Sequence, residues 1–302
     1  MTTIAVLGYA SLDHAMRIDP FRGADATTHI RERVSADWPS PGGIANLARA
    51  AAAGGRDVVA VSWLADDELG RAWSGALAAD GVRDEGVRVS GTLSPHSYLL
   101  YEPEGATYCL FHPGDSHHDE LTERQREVLR SADWALVAVG PAAATRELLE
   151  LEAGTRVAWS VKHDADALPA DLVRRLLGTA DVITFNRAEE TLIAGAAGAG
   201  WDEHCRPTTL LVRTAGADGV EAWYPGESVL HVPARRLESV DDTTGAGDTF
   251  AGRLVAELAG REIRGRADES TLQDALRAAA DAAANFIAGR SRDAAPAGKE
   301  QI

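Results

Sequence analysis

The chain has 302 residues, with 46 acidic side chains against 30 basic ones and a formal net charge of −16 at pH 7. At 45% apolar and 25% charged residues it has the composition of a globular protein that can bury a core, which excludes disorder as the main state. The acidity argues against a grip on nucleic acid or on an anionic membrane, since both need a basic face. No stretch approaches the roughly 20 apolar residues of a membrane helix. Cys109 and Cys205 stand far apart in the chain, which indicates neither a disulfide framework nor a cysteine-rich zinc site. With no basic leader before the short apolar run Ile4–Leu7, the expected location is cytoplasmic.

Along the chain, β-branched runs at Ile4–Leu7, Val58–Val61, Trp134–Val139, Val157–Val161, Val182–Phe185 and Leu210–Val212 predict strands. Between them Asn46–Ala53, Leu69–Asp80, Ala170–Leu177 and Ser270–Ile287 predict helices, the first and last alanine-rich enough to pack closely. This alternation predicts an α/β fold: a doubly wound, mostly parallel sheet flanked by helices, in one domain over residues 1–302. Two insertions, at about 14–37 and 92–114, break the pattern and read as antiparallel strands. Ile30–Val34 is edge-like, and Ser97–Phe111 is a hairpin turning at Glu102-Pro-Glu-Gly105. They predict a small β-sheet lid over the carboxyl end of the main sheet, where ligands of doubly wound folds bind; strands that merely extend the main sheet are the alternative. Residues 290–302 carry no apolar period and read as a loose tail.

The most informative stretch is Ser239–Phe250. Phe250, Ala251, Leu254, Val255 and Leu258 fall on one helical stripe, so Gly245-Ala246-Gly247 forms the amino-terminal turn of a buried helix. Unobstructed N–H groups and a favourable dipole make such a turn an anion site, suited to a phosphoryl group in transfer. Asp248 would repel a phosphate as a ligand but suits the role of base, taking the proton of an attacking hydroxyl. An ordinary glycine-loop helix cap is the competing reading. The Lys-Ser/Thr ending of a P-loop is absent, and the first strand ends in Gly8-Tyr-Ala-Ser without the glycine pattern of a dinucleotide site.

Asp242-Thr-Thr-Gly-Ala-Gly-Asp-Thr-Phe250 resembles the carboxyl-terminal signature of the ribokinase-like (PfkB) carbohydrate kinases, and further parts occur in that family's order over nearly the whole chain. The resemblance implies Mg²⁺- and ATP-dependent phosphotransfer to a primary hydroxyl of a sugar or sugar-derived compound. A nucleoside kinase of the adenosine type and a non-catalytic nucleotide-binding relative are the alternatives. Pro41-Gly-Gly-Ile-Ala-Asn46 is similar to the family's sugar-holding diglycine and asparagine, with two residues between them where the family has three. Gly42 and Gly43 let backbone approach a ligand and supply a hinge, and Asn46 can both donate and accept. Asp13 stands where the family binds two acceptor hydroxyls, and one carboxylate can serve such a diol.

Asn186-Arg-Ala-Glu189 resembles the family's Asn-x-x-Glu element. It implies Glu189, through water, and Asn186 around Mg²⁺ and the nucleotide phosphates, although the same four residues also have the form of a helix capping box. Arg213–Gly219 resembles the nucleotide loop, with Thr214, Gly216 and Gly219 along ATP. Asp281 and Asn285, on the helix Ala275–Ile287, are the nearest polar candidates for adenine. The family pattern offers a monovalent-cation (K⁺) site near Asp242 and Thr244, while Arg290-Ser-Arg292 replaces the Lys-Gly-Ala that often closes the last helix. It also allows a homodimer through the lid. Gly140-Pro141 stands where ribokinases proper tend to carry a sugar-binding glutamate, which argues against strict ribose specificity. His112, His117 and His118, with Asp115 and Asp119, lack ligand spacing and read as solvated loop.

Overall fold

The computed structural model describes residues 2–34, 38–116, 120–152, 154–238, 240, 242–261 and 265–293. His117, His118 and Asp119, lid positions 35–37 and the tail beyond 293 lie outside the described residues. Strand β1 (Thr3–Leu7) is followed by β2 (Ala10–Ile18), β3 (Ile30–Arg33) and β4 (Ser40–Gly43), and then by α1 (Ala45–Ala53), β5 (Asp57–Leu64), α2 (Glu68–Ala79) and β6 (Arg83–Val89). A hairpin, β7 (His96–Tyr101) and β8 (Thr107–His112), precedes α3 (Glu123–Ser131), β9 (Trp134–Val137), α4 (Ala142–Leu148) and β10 (Arg156–Ser160). The chain continues through α5 (Ala170–Thr179), β11 (Val182–Asn186), α6 (Arg187–Ala197) and β12 (Leu210–Thr214). It ends in β13 (Val220–Trp223), β14 (Leu230–Val232), α7 (Ala246–Ala259) and α8 (Glu269–Asp293).

Among the described residues, nine strands form the main sheet in the order β14-β13-β12-β11-β10-β9-β1-β5-β6. From β12 to β6 every pairing is parallel, and the β13–β14 edge is antiparallel. Strands buried on both faces read as continuous apolar runs rather than as alternation, which is why these were legible. Successive residues of β1 enter opposite cores: Ile4 and Val6 join the one under α1, α7 and α8, whereas Ala5 and Leu7 join the one under α3 to α6. Burial of each of Ile4, Val6 and Leu7 contributes roughly 1.5–3 kcal/mol. No helix among the described residues is long and apolar enough to cross a membrane.

The second sheet, ordered β3-β2-β7-β8 with β4 also on β2, is the smaller lid layer. The hairpin β7–β8 and the β2–β3 pair are antiparallel, but β2 and β7, the central partners, run parallel. A parallel pair needs a long crossover between its strands, and the whole stretch from β3 through β6 supplies it. The lid core is small, comprising Ala15, Val34 and Leu99 with Tyr101 packed against them.

Candidate active site

Helix α7 begins at Gly245, whose left-handed conformation (φ 85°) suits glycine. The amide of Asn46 and the ring of Phe286 lie against it, so that a Cβ would overlap the amide, while the space around Gly247 is open. The stripe expected of this helix is buried throughout, from Phe250 to Leu258. Asp248, in its first turn, is also buried, and its Oδ1 stands 2.8 Å from the ammonium of Lys162. Burial alone would lower the Lys162 ammonium. Asp248, and behind it Glu189 and Asp13, outweigh burial and hold the group above its ordinary value.

Lys162 lies just past the carboxyl end of β10, while Asn186 and Thr214 close the neighbouring parallel strands β11 and β12. All three line a pocket of about 240 Å³ together with Ser160, Glu189, Thr244 and Gly247. Asn186 caps α6: its Oδ1 accepts from the Ala188 and Glu189 N–H groups at 2.8 and 3.0 Å, and Glu189 Oε2 accepts from Asn186 N–H at 2.8 Å. The capping box expected as an alternative reading is therefore present, with both side chains still on the pocket wall. Burial sets the Glu189 carboxyl above its ordinary value against the pull of Lys162.

Asp13 sits in the middle of β2, paired with Ser97 of β7 and Ser40 of β4. Its Oδ1 accepts from the hydroxyls of Ser11 at 2.7 Å and Ser97 at 2.5 Å. Burial raises its carboxyl, and Asp248 is near enough to push the same way. Gly42 runs directly behind it, where any Cβ would collide with the carboxylate. Gly42 thus serves a close approach of backbone to Asp13, and Gly43, at φ 61°, one to the Tyr9 carbonyl. Phe111, opposite Ser97 in the hairpin, meets the Tyr9 ring at 5.1 Å, and the Tyr101 hydroxyl donates to Thr244 Oγ1 at 2.7 Å. These two contacts close the β7–β8 hairpin onto the body. Burial pushes the Tyr101 phenol up to about 12, so it stays a donor.

Behind the glycine turn, Asp242 Oδ1 accepts from Thr244 N–H at 2.8 Å, and Asp242 Oδ2 faces Arg290 Nη2 at 2.5 Å. Arg290 Nη1 also donates to the Thr244 carbonyl at 3.4 Å. A carboxylate, an ammonium and a glycine-opened helix start thus converge where two sheets meet, an arrangement suited to handling a phosphoryl group beside a hydroxyl.

The model of the pfkB family carbohydrate kinases matches residues 1–296. The chain belongs to this family. Its members are ATP-dependent phosphotransferases acting on sugar hydroxyls. A ribokinase of Haemophilus influenzae is 26% identical over 268 residues, covering 85% of each chain. Among solved structures, ribokinase from Cryptococcus neoformans in complex with ADP superposes with a TM-score of 0.77 at 21% identity, covering 95% of this chain and 94% of the other. A nucleoside kinase of Methanocaldococcus jannaschii does so with a TM-score of 0.77 at 15% identity, covering 95% and 92%.

For this PfkB kinase, the residues expected to act are gathered unevenly. Gly245, Gly247, Asn186, Glu189, Thr214 and Thr244 share one pocket. Ala246 lies between the two glycines as the first residue of α7. Asp13, Gly42, Gly43 and Asn46 lie on β2, β4 and α1, outside the lining of that pocket, with the Asn46 amide against Gly245. Gly216 and Gly219, both at positive φ, form the turn between β12 and β13 outside the lining. Asp281 and Asn285 project from α8 towards Arg235; neither lines the pocket.

Sequence reasoning missed Lys162. It belongs to no motif, and the signal that could have found it is positional: a lone cation directly after a parallel strand, at the edge where ligands of such sheets bind.

Proposed function

We propose that this chain transfers the γ-phosphoryl group of Mg²⁺-bound ATP to a primary hydroxyl of a sugar or sugar-derived small molecule. The observation that carries this reading is the ion pair between buried Asp248, at the start of α7, and half-exposed Lys162 on the pocket wall, with Asp13 and Glu189 close enough to act on the same pair. Asp13, steadied by Ser11 and Ser97, accepts hydrogen bonds from two neighbouring acceptor hydroxyls, with Asn46 contributing a donor and an acceptor. Asp248 takes the proton of the attacking hydroxyl as its oxygen bonds to Pγ and the bond from Pγ to the bridging oxygen of ADP breaks. The N–H group of Gly247, whose surroundings are open, and the Lys162 ammonium meet the charge that develops on the phosphoryl oxygens, while the Ala246 N–H donates to the Thr243 carbonyl.

Among the described residues, no cluster of three or more His, Cys, Asp or Glu is placed to hold a metal ion by itself. Glu189, Asn186, Ser160, Thr184 and Thr214 form an oxygen-rich wall instead, which fits Mg²⁺ retained with most of its water and carried on nucleotide phosphates. When bound there, Mg²⁺ neutralises phosphate charge.

A nucleoside acceptor is the second reading. The Tyr9–Phe111 pair beside Ser97 and Asp13 offers aromatic surface for a base as well as for a sugar ring. A coupled ADP-release screen over sugars, sugar acids and nucleosides with Mg·ATP tests both readings. Acceptor-dependent ADP release with a sugar supports the first, the same signal confined to nucleosides supports the second, and acceptor-independent or absent release contradicts both.

A further inference from the structure

The K⁺ site that the family pattern offers near Asp242 and Thr244 does not fit this chain, because a guanidinium stands in it. We infer that Arg290 is a tethered counter-ion that replaces a monovalent cation behind the anion-binding turn, so that the chain's phosphoryl transfer needs no added K⁺. The inference rests on the kinase reading above and concerns the back of the same turn.

Asp242 is only 8% exposed. A buried carboxylate without a partner is strongly unfavourable, and one placed two residues before Thr244 would also oppose an anion bound at the Gly245–Gly247 turn. Arg290 answers both at once, with Nη2 at 2.5 Å from Asp242 Oδ2 and Nη1 donating to the Thr244 carbonyl at 3.4 Å. A carboxylate oxygen and a loop carbonyl are the hard oxygen donors that an alkali cation would require. Here both are already committed to a planar, permanently charged group.

The guanidinium is held in turn. It lies over the Phe286 ring at 5.6 Å, and Phe286 packs against Gly245. A free cation would have to displace a side chain fixed by α8 on one side and by this ring on the other. Arg290 does not reach the reacting atoms. It is a positioning residue, acting through the Thr244 carbonyl on the peptide that carries the Gly245 N–H.

The experiment measures wild type and Arg290→Gln at constant ionic strength in KCl and in choline chloride, with ATP as its Tris salt. Turnover is followed on an acceptor found by the screen, and melting temperature on the apo protein. Wild type is expected to show equal turnover and equal melting temperature in both salts. Arg290→Gln is expected to lose about tenfold or more in kcat in choline, short of the roughly 10²-fold that a 1 Å misplacement of a reacting group can cost. Its KM for the acceptor should stay unchanged, and KCl or guanidinium chloride should restore part of the loss. Wild type that K⁺ activates or stabilises several-fold overturns the inference, as does an Arg290→Gln enzyme with full turnover in choline. If the variant does not fold, the wild-type salt comparison decides. If no acceptor is phosphorylated, the kinase reading fails, and the apo melting temperatures still decide the question of the cation.

Discussion

The two sheets of this molecule solve different problems. The main sheet has apolar cores on both faces, and its paired charges, buried Asp248 and half-exposed Lys162, lie at its carboxyl edge beside α7, β10 and β11. The lid sheet has a core of a few side chains and leaves Ile30, Tyr98, Tyr108 and Leu110 exposed. Its β7–β8 hairpin is held to the body by the Tyr101–Thr244 hydrogen bond and the Tyr9–Phe111 contact, whereas the base of β2 is anchored by Ala10 and Leu12 in the main core and by the Ala10 N–H donating to Ser62. Few buried contacts mean cheap local opening. We propose that the body fixes the reacting groups and that the lid admits, orients and covers the acceptor, keeping water from the phosphoryl group. Damage to the body should appear in kcat, and damage to the lid in acceptor affinity.

The largest expected effect is in the body. Asp248→Asn keeps size but removes the proton acceptor, and kcat should fall by about 10²–10⁴-fold with the Kd for ATP little changed, as measured by steady-state kinetics and calorimetry. Lys162→Met comes next. It takes away the charge facing the phosphoryl oxygens and leaves Asp248 buried without its partner, so a loss of about 10²-fold in kcat is expected, with acceptor KM within a few-fold of wild type. A Lys162→Met effect confined to acceptor KM would break the division between body and lid.

In the lid, Asp13→Asn should raise acceptor KM by about 10- to 100-fold, the worth of charged hydrogen bonds, while ATP binding is kept. The sign of its pH dependence follows from burial, which sets the Asp13 carboxyl above its ordinary value. Only the ionised form accepts from both hydroxyls, so wild-type acceptor KM should climb as pH falls through that raised value. The Asp13→Asn profile should be flat over the same range. The smallest effect belongs to Tyr101→Phe, which deletes one hydrogen bond of about 0.5–1.5 kcal/mol. Hydrogen exchange in β7 and β8 should quicken, acceptor should slow it less than in wild type, and kcat should change by less than about tenfold. Exchange that ignores the acceptor in both proteins would mean that the lid is a static layer.

The contrast between the sheets also governs what could be read from the sequence. The parallel strands announced themselves as apolar runs, and α7 as a stripe following two glycines. In the lid, Gly8-Tyr-Ala-Ser read as a loop leading to Asp13, whereas β2 already starts at Ala10 and leaves Asp13 half-buried against two serines that lie near it in space but, for Ser97, far from it in sequence. The parallel pairing of β2 with β7 was equally hidden, because period-2 alternation does not carry strand direction. Strand β6, with Arg83, Asp84 and Glu85 at its start, is an edge strand whose polarity masks it. Lys162 and Arg290 acquire their roles only from distant partners, Asp248 and Asp242, and such long-range pairs leave no local pattern.

The central claim is that Asp248 and Lys162 act as one unit on the phosphoryl group and the attacking hydroxyl. A double-mutant cycle in kcat tests it most directly, using Asp248→Asn, Lys162→Met and the double variant on one acceptor. The double variant should be no slower than Asp248→Asn alone by more than a few-fold, because groups that act as a unit fail as a unit. Losses that multiply in full would show two independent contributions and contradict the claim.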